Sequence, residues 1–339
     1  MDLLQEILGF AAKGLIVFVT VSLTVAAVVA LTRRGRVRAF GPRLEVQPLH
    51  RRFELLGDAL RSNLLTRKEQ RLAHKARRKE HAQRAAQKRP SVFVVDFDGD
   101  LLATPVKSLR EEVSAIAAVA GAGDEVVVRL ESAGGAVSHY GLAAAQLVRL
   151  KERKLKVTVC IDRVAASGGY MMACVADVVR AAPFAVIGSI GVIAQVPNVH
   201  RLLKKHDVDF EEMTAGEFKR TVSVFAEITD KGREKFQTQL EEVHGLFKEF
   251  VRAQRPKLEV DRVATGEYWL GRRALELGLV DQLGTSDDYL LERVKDADVY
   301  RVHFKPEETM RDRLSRFAAD AVDRSVLALL SRLARLELR

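Results

Sequence analysis

From Ser91 onward the chain alternates short apolar runs with helical stretches rich in small residues, and this alternation limits its fold more than any other feature. "SVFVVDFD" at 91–98 reads as a buried strand. Ser108 with Glu111 three residues later forms a capping-box pair, which predicts a helix through Ala120 closed by Gly121. "EVVVRLE" at 125–131 is the next strand, followed by a helix over 137–153. "KVTVCID" at 156–162 is a third strand, and Ser167 opens the helix after it. Successive parallel strands need a long return across one face, so the pattern predicts an α/β fold around a parallel sheet with right-handed crossovers. Ligands of such sheets meet the carboxyl ends of the strands.

Beyond residue 200 the pattern turns helical. Thr229 is placed to cap a long helix through Ala253, with Phe236, Leu240, Val243, Phe247 and Phe250 on one face and Pro256 past its end. The apolar run "AAPFAVIGSIGVIAQV" at 181–196 is too short for a span and contains Pro183 and two glycines. Buried strands and a turn are expected there. The C-terminal "LSRFAADAVDRSVLALLSRLARLELR" is amphipathic and basic; a membrane surface and a partner chain both suit it.

Ahead of the alternating region lie two segments of opposite character. Gly14 to Leu31, "GLIVFVTVSLTVAAVVAL", is 18 residues without a charge, enough to cross a bilayer as a helix. The basic cluster follows this run, and no small-residue cleavage site precedes "TRRGRVR", so an uncleaved anchor is expected. Residues 33–90 carry 18 Lys/Arg against 5 Asp/Glu, or +13, whereas the whole chain is +10. The basic character therefore belongs to a neck. Residues 66–90 contain no aromatic side chain, which argues against nucleic acid and for a solvated helix near anionic lipid. The expected organisation is an anchor at 1–32, a helical neck at 33–90, a catalytic body at 91–300 and a helical tail at 301–339. Arg33, Arg34, Arg36 and Arg38 follow the span and only Lys13 precedes it, which places the body on the cytoplasmic side.

Three stretches carry groups fit for chemistry. "ESAGGAV" at 131–137 joins a strand to a helix, and its paired glycines leave backbone N–H groups open to a carbonyl oxygen. "AASGG" at 165–169 is an equivalent junction, where Ser167 is either a nucleophile or an ordinary helix N-cap. "TAGEFKRT" at 214–221 offers Lys219. Burial lowers a lysine's pKa by as much as ~3–5 units, so a buried amine can take a serine proton. Of the histidines only His139 falls near these junctions, and a Ser–His–Asp arrangement there would need a carboxylate that the sequence does not identify. Cys160 and Cys174 have no metal-ligand spacing and read as small buried hydrophobes; no metal or cofactor is expected.

Together, "LESAGGAV", "DRVAASGGYMMACVAD", "PFAVIGSIGVIAQ", "TAGEFKRT" and "ATGEYWLGRRALELGLVDQLG" resemble the signal peptide peptidase A family, peptidase family S49, in its membrane-anchored SohB branch. The likeness covers roughly 91–290 in matching order. It implies a ClpP/crotonase-type fold and a Ser–Lys endopeptidase. In that family's pattern Ser167 matches the nucleophile, Lys219 the general base and Ser189 the serine that holds the lysine amine. Gly135 and the Gly168 N–H match the oxyanion hole. The resemblance further implies a homo-oligomer with active sites at subunit interfaces, each Lys219 serving a neighbour's Ser167. The implied substrates are signal-peptide remnants or membrane-associated polypeptides. It also implies a bacterial inner-membrane location with the body in the periplasm, opposite to the charge bias. Ala133 departs from the family, which usually has proline before the glycine pair.

Two other readings remain open at this level. A crotonase-like acyl-CoA enzyme shares the scaffold, but residues 181–206 hold no Asp or Glu to move its proton. A membrane-tethered scaffold without activity is the other, with Ala133 its best support. For the protease, Val164, Ile187 and Ile190 are the expected apolar walls beside the scissile bond.

Overall fold

The computed structural model describes residues 44–86 and 89–305. The expected anchor Gly14–Leu31 and the tail beyond residue 305 lie outside them. Among the described residues no helix is long and apolar enough to cross a membrane.

Among the described residues ten strands form one sheet: β1 (Leu44–Pro48), β2 (Ser91–Gly99), β3 (Glu125–Ser132), β4 (Lys156–Ile161), β5 (Val164–Ala166), β6 (Val178–Ala181), β7 (Val186–Gly188), β8 (Tyr268–Leu270), β9 (Gln282–Leu283) and β10 (Asp298–Phe304). Their main order is β1-β10-β2-β3-β4-β6-β9, parallel throughout except for β1, which runs antiparallel to β10 at the edge. The sheet branches at its carboxyl end. There Ser132 of β3 pairs with Ala165 of β5, and β5 continues onto β7, which pairs antiparallel with β8. The helices are α1 (Leu49–Leu64), α2 (Arg67–Ala86), α3 (Val106–Val119), α4 (Val137–Glu152), α5 (Gly168–Ala173), α6 (His200–Lys205), α7 (Asp230–Gln254), α8 (Val260–Val263), α9 (Gly271–Glu276) and α10 (Ser286–Arg293).

Side-chain alternation in the strands divides the core into two layers. Val95 and Phe97 of β2, Val126, Val128 and Leu130 of β3, and Val157, Val159 and Ile161 of β4 face the larger layer. They meet Leu109, Val113 and Ile116 of α3, Leu147 and Leu150 of α4, and Met172 of α5. Val92, Val94, Val127, Cys160 and Val299 face the other way, against Leu49 of α1 and Tyr289 and Leu290 of α10. Each fully buried aliphatic side chain stabilises the fold by about 1.5–3 kcal/mol before entropy is counted. The second layer also holds a buried carboxylate, Glu125, which takes hydrogen bonds from Thr158 and Tyr289 (2.5 Å each) and from Arg293 (3.0 Å). Burial opposes its ionisation, but the Thr158 and Tyr289 hydroxyls and Lys156 hold its pKa below the ordinary value. The network pins α10 to the sheet.

The long helix is capped as expected, with Thr229 Oγ1 accepting from Gly232 N ahead of Asp230–Gln254. Cys160 and Cys174 are free and buried, and burial pushes both thiols up to about 12. Two expectations change. Helix α3 begins at Val106, so Ser108 lies inside its first turn and caps nothing. Asp100 sets the start instead: its carboxylate accepts from Leu102 N, Thr104 N and Thr104 Oγ1, and Pro105 follows. The neck also begins as part of the sheet, because Leu44–Pro48 pairs along β10, while β10 itself runs on to Phe304. Glu112 of α3 closes this edge by accepting from Phe304 N at 2.8 Å, and burial pushes its carboxyl up to about 7.

Candidate active site

Ser167 stands where β5 gives way to α5, at φ 50° and ψ −118°. An N-cap serine would be extended and would hold a helix N–H; Ser167 is neither, and its side chain makes no capping bond. A non-glycine residue in this region costs about 1–3 kcal/mol and persists only when its neighbours over-determine it. They do so here. Its N–H donates to Gly188 O at 2.8 Å, and its carbonyl accepts from Met171 N at 3.0 Å. Gly134 packs so tightly against this turn that a Cβ there would lie 2.7 Å from the Ser167 Cβ and 2.8 Å from Gly168 N. The Ser167 Cβ thus lies against the glycine loop.

That loop is held from behind by hydrogen bonds of defined direction. Gly134 N–H donates to Ser132 Oγ (3.0 Å), and the Ser132 and Tyr140 hydroxyls lie 2.5 Å apart. Tyr140 donates its one proton to Asp100 O (2.7 Å), so the Ser132 proton must go to the tyrosine oxygen. On the other side Ala136 N–H donates to Leu101 O at 2.8 Å. A Cβ at Gly135 would sit 2.1 Å from that carbonyl oxygen, so only glycine fits. Gly168 is equally confined, with a Cβ there meeting the Tyr140 ring at 2.4 Å. The amides of Gly135 and Gly168 donate to no acceptor among the described residues. Ala133 leaves the loop closed: the Ser132–Tyr140–Asp100 chain supplies the constraint that a proline ring would otherwise give.

Ser189 lies beside Ser167, because Ala166 and Gly188 are register partners and each serine follows one of them. It too has a positive φ, 51°, and its N–H donates to Glu267 O at 2.6 Å. The structure therefore brings together Ser167, Ser189, Gly135 and Gly168. It leaves Lys219 outside this group. That residue is exposed on the loop before α7, and its side chain makes no hydrogen bond or ion pair among the described residues. Its neighbours carry the loop's attachments: Glu217 pairs with Lys231, and Phe218 lies under Lys231 and Lys235 of α7. His139 is exposed, with Ser138 Oγ 3.3 Å from its Nδ1, and no described carboxylate orients it.

Comparison with known proteins decides the family. The model of peptidase family S49 matches residues 149–300, and its N-terminal companion matches 2–147. A relative from Haemophilus influenzae, "Probable protease SohB", is 47% identical over 335 residues, covering 94% of this chain and 95% of that protein. The chain belongs to peptidase family S49. A protein of the same name from Buchnera aphidicola subsp. Schlechtendalia chinensis is 55% identical over 207 residues, covering 61% of this chain and 68% of its own. Among solved structures, a 1510-N membrane-bound stomatin-specific protease is 12% identical with a TM-score of 0.41, over 69% of this chain and 100% of that one. That likeness is too loose to argue from, and the fold rests on the sheet described above.

In this S49 peptidase, one family segment supplies the glycine loop and the other supplies Ser167. Helix α4, Val137–Glu152, bridges the two. Beside Ser167 a narrow cleft is walled by Val137, Met171, Val192, Val243 and Phe247. This corrects the expected walls. Ile187 and Ile190 are fully buried in the large core layer, and Val164 does not line the cleft. Val243 and Phe247 come from α7, whose apolar stripe was legible in sequence but whose position over the site was not. Ser132, Gly134 and Tyr140 were also missed; a serine directly before the loop and a tyrosine eight residues on carry no local signal.

Proposed function

We propose that this peptidase cleaves peptide bonds by acyl transfer through Ser167, with Lys219 of a neighbouring copy as general base. Ser167 Oγ attacks the scissile carbonyl carbon while the lysine amine takes the hydroxyl proton. The Gly135 and Gly168 amides donate to the oxyanion that forms. When the carbon–nitrogen bond breaks, the lysine returns the proton to the leaving amine. Water, deprotonated by the same lysine, then hydrolyses the ester and frees Ser167. Ser189, adjacent to Ser167, orients the incoming amine.

The observation that carries this reading is the strained turn at Ser167, fixed beside two amides that have no described acceptor. An ordinary helix start has no use for that strain. The apolar cleft fits a small or hydrophobic side chain next to the scissile bond. Gly14–Leu31 supports a single-pass anchor in the bacterial inner membrane, with signal-peptide remnants or other membrane-associated polypeptides as substrates. The arginines after the anchor favour a cytoplasmic body, while analogy with enzymes that clear spent signal peptides favours the periplasm.

The test uses detergent-solubilised full-length protein with a serine-directed fluorophosphonate and a peptide substrate. Wild type is expected to label and cleave, Ser167→Ala to do neither, and Lys219→Ala to fold but lose cleavage. Full turnover by Lys219→Ala would remove the dyad from the account.

A further inference from the structure

Helix α1 carries one apolar stripe that begins inside the body and runs out of it. Leu49, Phe53, Leu56, Leu60 and Leu64 recur at spacings of three and four, so they share a helix face. Leu49 is 5% exposed and Phe53 packs on the second core layer. Along the same face exposure then rises to 55% at Leu56, 67% at Leu60 and 79% at Leu64. Leu55, 70% exposed, lies off this face, on the side of Ser62. Four exposed leucines within ten residues are not a solvated linker.

Two observations identify what covers them. First, only twelve residues separate Leu31 from Leu44, a reach of about 40 Å at most, so an anchored chain holds α1 near the bilayer. Second, helix α2 follows with eight Lys/Arg against two Glu. Copies of such a helix repel one another, whereas an anionic headgroup layer attracts each of them. A leucine-faced helix joined to a polybasic one has the composition of an interfacial membrane element.

We propose that the C-terminal half of α1 lies in the interface of an anionic bilayer through Leu56, Leu60 and Leu64, with α2 against the headgroups. This contact holds the catalytic body at a fixed height over the lipid and rests on the reading of Gly14–Leu31 as an anchor.

The native thiols are buried, so a cysteine added on α1 is the reactive one in the full-length chain. Leu60→Cys reports the stripe, and Ser62→Cys reports the opposite, exposed side of the same turn. Each is labelled with an environment-sensitive fluorophore and reconstituted into vesicles of phosphatidylcholine, with or without phosphatidylglycerol, containing brominated lipid. Fluorophosphonate labelling checks that each variant is folded. Quenching at position 60 is expected to exceed that at 62 several-fold in the anionic vesicles, and the excess to shrink in high salt or in phosphatidylcholine alone. Equal quenching at both positions overturns the proposal. So does copy-to-copy cross-linking of the Leu60→Cys variant by a bis-maleimide without lipid quenching, which assigns the stripe to a second chain. Flotation separates the two layers of the argument: a chain that fails to float with vesicles loses the anchor and the proposal together, and one that floats without the 60/62 contrast loses only the proposal.

Discussion

The turn carrying Ser167 and the loop carrying Lys219 differ in everything that fixes a side chain. Around Ser167 the backbone is held at φ 50°, packed against Gly134 and tied to Gly188. Around Lys219 the ties are local: its N–H donates to Gly216 O at 3.1 Å, Gly216 at φ 97° has open space around it, and the lysine side chain is exposed while Arg220 pairs with Glu212 and Glu217 and Phe218 hold to α7. One region is pre-organised within a single chain; in the proposed dyad the other takes up its working position against a neighbouring copy. Half of the proposed machinery is folding; the other half is assembly.

The largest effect that can break this comparison is on turnover. Ser167→Ala and Lys219→Ala are each expected to lower kcat by about 10³-fold or more. Thermal denaturation of Lys219→Ala should match wild type, since the exposed side chain makes no hydrogen bond or ion pair among the described residues. A large loss of Tm in Lys219→Ala would show that its loop is already structural in one chain.

Gly135→Ala comes next. Its Cβ would collide with Leu101 O, so about 1–3 kcal/mol of stability is expected to go. A further fall in kcat of about 10²-fold or more is expected if the amide serves the oxyanion. Denaturant unfolding and steady-state kinetics measure the two losses separately.

The pre-organised scaffold has a pH dependence of its own. Glu112 titrates at about 7 when folded and near the ordinary carboxylate value of 4.5 when unfolded, because burial disfavours its charge. Between those values the folded state binds the extra proton, so stability is full below pH 4.5 and falls as pH rises through 7. The shift corresponds to about 3 kcal/mol. Glu112→Gln still accepts from Phe304 N and should flatten the Tm profile across that window. An unchanged profile would place the titration elsewhere.

Smallest is Gly216→Ala on the lysine loop. There is room for the methyl group, so only the positive φ is penalised, by about 1–2 kcal/mol and with no effect on kcat. A loss as large as that of Gly135→Ala would erase the contrast between the two regions.

Much of this was legible in the chain. The strands at 91–98, 125–131 and 156–162 announced themselves because both faces are buried and their residues read as apolar runs. "AASGG" and "ESAGG" marked the two junctions because close backbone approach demands small residues. The edge pair was not legible: "LEVQP" is short, partly polar and surrounded by basic residues, and its partner "DVYRVHF" straddles the expected end of the body. The start of α3 was misread because a capping-box pattern cannot register a competing knot from Asp100. The Ser132–Tyr140–Asp100 chain and the α7 wall of the cleft join residues far apart in sequence, and no local spacing encodes them. Lys219 lacks a local signature for the same reason: nothing in its own loop specifies where it acts.

Complementation tests the division between folding and assembly most directly. Ser167→Ala and Lys219→Ala, each inactive alone, are dissociated, mixed in equal amounts and reassembled, and peptide cleavage is measured. A base supplied by a neighbour predicts that activity returns at about one quarter of the sites, where adjoining chains contribute one intact group each. Mixed oligomers that assemble fully and remain inactive would contradict it, because serine and lysine would then have to belong to the same chain.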